Sequence, residues 1–402
     1  MIKARNRLSH LIKNTPTEYN RELSNYFNAN IFLKREDRQL TRSFKIRGAL
    51  NKMLKYQGNY KSVNCASAGN HAQGIAYAAS LLNVPANIFV PVNTPLQKID
   101  RIKSFGGKLI NLIKIGDNFN ESLQLAKETA NDDTMFIHPF DDQDVIDGQS
   151  TLGLEIFDDV NPDIILTCVG GGGLMSGLIN SAQYFKPECK IIGVEPVGAD
   201  SMRQALSFGN PIYIQKVDTF VDGASVSIVG DLNYEIISKH TDKNDIITIT
   251  NNELCCHMLD LYQNEGIIVE PAGALAYSGL FHLPHKDIKD KTIVIVLSGG
   301  NNDATRYPEI IEKKMLYLNK KHYFIIKFSQ QPRQLRNFIL SVLGDHDDIT
   351  RFEYIKKTNT TYGNVLLGIE TSNIGYIIDN LNKYNYKYQK ITEQDLIYSY
   401  IV

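Results

Sequence analysis

Cysteine is scarce here and badly placed for bridging. The five cysteines of this 402-residue chain stand at 65, 168, 189, 255 and 256. The count is odd, two are adjacent and no Cys-x-x-Cys pair occurs, which argues against a disulfide framework or a paired-cysteine metal or redox motif. The pattern reads as reduced thiols in a cytoplasmic protein. Excess charge is missing too: 43 Lys and Arg against 44 Asp and Glu leave a net charge of −1, so no bulk attraction to nucleic acid or anionic lipid is expected. No apolar run approaches the ~18 residues that cross a bilayer. The basic start, Met1 to Arg7, is not followed by the apolar core of a signal segment. His138, His257, His285 and His346 lack metal-ligand spacing, and no internal repeat or low-complexity stretch is evident.

What is present is a long, ordinary globular composition, 43% apolar, with room for two or three domains. From Ile31 to about Ser298, short continuously apolar runs alternate with helical ones. Strands are predicted at Ile31–Lys34, Ser62–Cys65, Ala86–Pro91, Lys108–Ile113, Met135–His138, Ile164–Val169, Lys190–Glu195 and Thr292–Leu297. Helices are predicted between them, among others at Ala72–Leu82, Gln149–Val160 and Leu174–Tyr184. This alternation points to α/β architecture with parallel sheets covered on both faces, where ligands sit beyond the carboxyl ends of the strands. After about Lys320 the order changes to β-α-β-β-α-β, with strands near 322–328, 349–356, 364–370 and 386–391 and helices over 332–343, starting on Pro332, and 373–383. That is the split βαβ, ferredoxin-like arrangement. The expected division is a catalytic domain, residues 1–320, with a smaller subdomain at roughly 46–150, followed by a terminal domain, 321–402.

Three turns follow strands in the first part. Gly170-Gly171-Gly172-Gly173-Leu174 leaves backbone N–H groups free to converge at a helix start, a site suited to phosphate. It lacks the Gly-Lys-Ser/Thr ending of a Walker loop and the dinucleotide spacing. Ser67-Ala68-Gly69-Asn70-His71-Ala72-Gln73-Gly74 could hold a carboxylate at a helix N-terminus, or Ser67 or Asn70 could merely cap that helix. Leu297-Ser298-Gly299-Gly300-Asn301-Asn302 is either a plain turn or a hydroxyl placed at the mouth of the sheet. A fourth stretch, Ser43-Phe44-Lys45-Ile46-Arg47-Gly48-Ala49, places a lysine at a strand-to-helix junction. Alone it would read as a solvated charge. With the other three it suggests a cofactor offering a phosphate, an aldehyde and a ring nitrogen, and pyridoxal phosphate has all three.

In order and spacing, these motifs resemble the threonine/serine dehydratase group of fold-type II (tryptophan synthase β-like) pyridoxal phosphate enzymes, over about residues 5–305. The tail is similar to the ACT-like regulatory domain of biosynthetic threonine dehydratases, with Phe328, Pro332, Leu335, Asn337, Phe338 and Gly344 fitting its first half. The resemblance implies two open sheets with helices, followed by one regulatory domain. It implies Lys45 as the catalytic lysine that carries the cofactor, the backbone of Gly170, Gly171, Gly172, Gly173 and Leu174 on the phosphate, Asn70 on the phenolic oxygen and Ser298 on the ring nitrogen. Ser67, Asn70 and His71 are then expected at the substrate carboxylate, and Glu270, before Pro271, near the active site. The implied reaction is elimination of water from L-threonine to give 2-oxobutanoate and ammonia, the first step toward isoleucine, with isoleucine as inhibitor, valine as the opposing effector and a homotetramer as the assembly.

Two departures narrow this. Serine racemases in this group carry a serine acid/base where Ala68 stands, so racemisation is expected to be a side reaction at most. They also bind a divalent metal through a Glu-x-x-x-Ala-x-Asp pattern; here Glu195 and Ala199 are followed by Ser201, so no bound metal is expected there. The rival readings are a catabolic dehydratase with serine as a significant substrate, a threonine synthase, and an amino-acid-binding regulator without catalysis. The tyrosines at 376, 384, 386, 388, 398 and 400 are expected in sheet and interface packing rather than on nucleic acid.

Overall fold

The computed structural model describes residues 1–354, 356, 359–392 and 395–401, which fall into two compact units, 1–302 and 303–402. No helix among the described residues is long and apolar enough to cross a membrane.

The first unit holds two sheets. The larger has six strands in the order Thr17–Tyr19, Asn30–Arg35, Thr292–Leu297, Ile164–Cys168, Lys190–Pro196, Ile246–Ile249. All its pairings are parallel except the first, where Thr17–Tyr19 runs against Asn30–Arg35. The central strands read as unbroken apolar runs because both faces are covered: Ile293 through Leu297 are all fully buried. The smaller sheet has four parallel strands, in the order Ile110–Lys114, Ala86–Val90, Ser62–Ala66, Thr134–Phe136. Its core gathers Ile46, Leu50, Met53, Val63, Ile75, Ile88 and Ile102.

Some elements depart from the sequence pattern. The strands Thr17–Tyr19 and Ile246–Ile249 are short, at three and four residues, and lacked a readable signal. The helix expected over 149–160 begins at Gln143. Asp142 caps it, its carboxylate accepting from the N–H groups of Asp144 (2.8 Å) and Val145 (3.2 Å). Gly148, inside the helix, allows close approach: a Cβ there would lie 2.4 Å from the Arg47 carbonyl oxygen. The helix Lys45–Lys55 therefore packs backbone to backbone on Gln143–Asp159.

The second unit is a four-stranded antiparallel sheet in the order Asp348–Tyr354, Tyr362–Glu370, Lys321–Ser329, Lys387–Ile391. With the helices Gln334–Val342 and Ile374–Lys383 it gives the expected β-α-β-β-α-β order. The strand expected to reach Lys356 is described to Tyr354; Ile355 lies outside the described residues. The first of these helices starts two residues later than predicted, because Arg333 takes a left-handed conformation (φ 73°) that cannot continue a helix. Phe324, Phe328, Phe338, Val365, Leu367 and Ile377 fill the core. The helix Tyr307–Tyr317 belongs to this unit: its Glu312 accepts from the Tyr323 hydroxyl at 2.6 Å and pairs with Lys321 at 2.5 Å. Of the terminal tyrosines, Tyr386 and Tyr388 pack on the core, whereas Tyr376, Tyr384 and Tyr400 are exposed.

Candidate active site

All four motifs meet at one cavity in the first unit. Its volume is about 320 Å³, and Lys45, Ser67, Asn70, His71, Gly170 to Leu174, Glu270 and Ser298 line it. The segment 42–44 is stitched to 298–300 by Phe44 N–H to the Ser298 carbonyl (3.2 Å) and Gly300 N–H to the Arg42 carbonyl (2.9 Å). This seam places Lys45 beside the end of the central strand.

Lys45 opens its helix, and its Nζ donates to the Pro139 carbonyl at 3.0 Å. Burial depresses the amine from 10.5 to about 8, opposed by Cys168 and Glu270. Two residues on, Arg47 is fully buried and bidentate to both Glu36 (2.9 and 2.8 Å) and Glu155 (2.6 and 2.8 Å). Lys34, also fully buried, reaches Glu155 at 2.9 Å. In the charged stretch Lys34 to Arg38, Lys34 and Glu36 turn inward to meet Glu155 and Arg47, which lie more than a hundred and more than ten residues away.

The glycine turn ends the strand Ile164–Cys168 and opens the 13-residue helix Gly173–Phe185. Gly172 has φ +94°, which a side chain would strain. At Gly171 a Cβ would sit 2.3 Å from the Phe140 ring, so the turn lies flat against its floor. The first-turn N–H groups have no acceptors within their own helix, as an anion cradle requires.

Helix Asn70–Leu82 is capped by neither Ser67 nor Asn70: the cap position is Gly69, without a side-chain bond. Ser67 Oγ accepts from Gly69 N–H at 3.2 Å. The Asn70 amide instead bridges loops, donating to Glu270 Oε1 at 2.6 Å and accepting from Asn301 Nδ2 at 2.7 Å. Glu270 is raised to about 7 by burial and by Asp222, the Asn70 bond opposing. It does not cap the helix it precedes. His71 is buried, with Nε2 3.4 Å from the Ile137 carbonyl oxygen, and burial and Lys45 hold it down at about 3, hence neutral. Ser298 Oγ donates to the Ala272 carbonyl at 3.3 Å, and it faces the Cys168 thiol, which burial pushes up to about 11. Lys98 and Asp222, which both line the cavity, form an ion pair that the sequence did not suggest. Arg47 and Asn301 lie inside quoted motifs but were given no role from them, and Cys168 and this pair carry no motif at all, since most of their partners are remote in sequence.

The Glu195 carboxylate, fully buried, accepts from the N–H groups of Met202 (2.8 Å) and Arg203 (3.0 Å) at the start of the helix Ser201–Phe208. Among the described residues no cluster of three His, Cys, Asp or Glu is arranged around a metal.

The pieces fit a phosphorylated aldehyde cofactor: a glycine turn too closely packed to take a Cβ at Gly171 or Gly172, a depressed amine and a neutral hydroxyl share one cavity. Residues 8–299 match the pyridoxal-phosphate dependent enzyme family, and residues 312–401 match the C-terminal regulatory domain of threonine dehydratase. The chain belongs to the pyridoxal-phosphate dependent enzymes, and within them to the threonine dehydratases that carry this regulatory domain. It is 42% identical to the biosynthetic L-threonine dehydratase of Halalkalibacterium halodurans over 410 residues, covering all of this chain and 98% of the relative. Identity is again 42% with the Staphylococcus aureus enzyme of the same name, over 98% and 96% of the two chains. Among solved structures it resembles the processed form of threonine deaminase isoform 2 from Solanum lycopersicum, with TM-score 0.70 and 35% identity over 76% of this chain and 84% of that one. The threonine deaminase of T.th. is similar at TM-score 0.69 and 32% identity, over 75% and 97%.

Proposed function

We propose that this enzyme eliminates water from L-threonine, that the released enamine tautomerises and takes up water to give 2-oxobutanoate and ammonia as the first step toward isoleucine, and that the second unit takes isoleucine as inhibitor and valine as opposing effector. The observation that carries the reading is the convergence of Lys45, the glycine cradle, Asn70 and Ser298 on one cavity, in a chain similar along its whole length to biosynthetic threonine dehydratases.

Pyridoxal phosphate supplies an electron sink for charge developing at the substrate Cα. The backbone of Gly170 to Leu174 holds its phosphate, Asn70 its phenolic oxygen and Ser298 its ring nitrogen. A hydroxyl at that nitrogen leaves it uncharged, which favours loss of a β-leaving group over transamination. Lys45 takes the Cα proton; an amine held near 8 is substantially neutral at mildly alkaline pH, as a base must be. Ser67, Asn70 and His71, at the start of a 13-residue helix, receive the substrate carboxylate. His71 does so as a neutral donor, since burial keeps it uncharged.

The test is 2-oxobutanoate release from L-threonine, with and without isoleucine, beside L-serine and a Lys45→Ala control. The control is expected to lose the cofactor's visible absorbance and the elimination together. Release by Lys45→Ala at the wild-type rate, or equal efficiency with serine, would defeat the threonine reading.

A further inference from the structure

Asn70 alone does not determine which way its amide faces, because oxygen and nitrogen can exchange by rotation about one bond. The surroundings remove that freedom in a definite order. Thr41 contributes a backbone carbonyl, which can only accept. Asn301 Nδ2 lies 2.9 Å from that oxygen, so the nitrogen end of Asn301 is fixed. The same Nδ2 is 2.7 Å from Asn70, and its second hydrogen requires an acceptor there, so Asn70 presents Oδ1 to Asn301. Its Nδ2 must then face Glu270, 2.6 Å away, with one hydrogen left over at the cavity wall. Thr41, Asn301, Asn70 and Glu270 come from four separate segments, and the three side chains all line the cavity.

From this chain of donors and acceptors we infer that Asn301 is a positioning residue, which sets the Asn70 amide so that it offers a hydrogen, and not a lone pair, to the cofactor's phenolic oxygen. The inference rests on the proposed role of Asn70 and assigns to the Ser-Gly-Gly-Asn turn a second task beyond supplying Ser298. Asn301→Ala removes the donor and frees Asn70 to rotate. Asn301→Asp puts acceptors against both Thr41 O and Asn70 Oδ1 and forces the amide to turn.

The experiment compares wild type, Asn301→Ala and Asn301→Asp as full-length protein, reading pyridoxal phosphate affinity by titration of the cofactor-free form, the position of the bound cofactor's visible band, and the thermal midpoint without cofactor. Loss of one oriented hydrogen bond is expected to weaken cofactor affinity roughly tenfold and to displace the band, more in Asn301→Asp, while the cofactor-free midpoint of Asn301→Ala stays close to wild type. Wild-type affinity and band position in Asn301→Ala would overturn the inference, as would weakened affinity with an unmoved band, which marks a purely structural role. If wild type itself takes up no pyridoxal phosphate, the reading of the whole cavity fails, and this inference with it.

Discussion

A lysine amine kept out of water is a liability until a cofactor uses it. In the cofactor-free protein Lys45 sits at about 8, against 10.5 when unfolded. Between those values the unfolded chain binds more protons, so stability rises with pH across that window and the penalty is complete below it. Its size is on the order of 3 kcal/mol. Cofactor-free Lys45→Met is therefore expected to resist urea better than wild type at pH 7, with the advantage fading as pH approaches 10.5; a constant difference would contradict the burial argument. The same scale shows what sequence could disclose. Lys45, Asn70, Ser298 and the glycines are legible because each sits in a short local motif. Arg47 and Asn301 stand inside two of those motifs, yet what they do there depends on Glu155, Thr41 and Asn70, each more than a hundred residues away, which no local pattern encodes. Glu270 lies between the two cases: its position was readable, its hold on Asn70 was not.

Single elements were legible in proportion to how much of their burial pattern was local. Fully covered strands such as Thr292–Leu297 announced themselves as apolar runs, whereas Ile246–Ile249, with two of its four residues buried, did not. Gln143–Asp159 starts six residues before the predicted 149, and Gly148 inside it serves helix packing, a long-range contact with Arg47. The glycine turn makes an element-scale prediction. Gly172→Ala must carry a side chain at φ +94° and place it 2.8 Å from Asn233 Cβ. An expected loss of about 1–2 kcal/mol should appear as a lowered thermal midpoint together with weaker binding of pyridoxal phosphate. On the helix that Lys45 opens, Arg47→Met strands the buried Glu36 carboxylate and leaves Glu155 its ion pair with Lys34. Removing one partner of such a cluster costs about 3–5 kcal/mol, so chemical denaturation followed by cofactor absorbance should shift to markedly lower denaturant, with loss of cofactor under mild conditions.

At the scale of the molecule, the compact units divide at Asn302 and Asp303, and the helix Tyr307–Tyr317 is tied to the sheet that follows it. A chain ending at residue 302 is thus expected to retain 2-oxobutanoate production and lose its response to isoleucine. Unchanged isoleucine sensitivity in that truncated protein would remove the regulatory assignment from the second unit. An effector that acts through this unit must bind one conformational state better than another, so isoleucine should also shift the thermal midpoint of the intact chain.

The strand order of the larger sheet sets a timetable for the newborn chain. Asn30–Arg35 is completed early, yet its parallel neighbour is Thr292–Leu297, the last strand of the unit to be made. At ribosomal rates of about 5–20 residues per second, the early strand waits on the order of tens of seconds with its inner edge open. Lys34 and Glu36 lie within and just beyond that waiting strand, and until Glu155 and Arg47 close around them they remain hydrated charges beside the apolar run Ile31–Leu33. Until residue 155 has been made, the members of the ion cluster that later holds the helix opened by Lys45 are thus charges beside an open strand, which disfavour premature pairing with another chain.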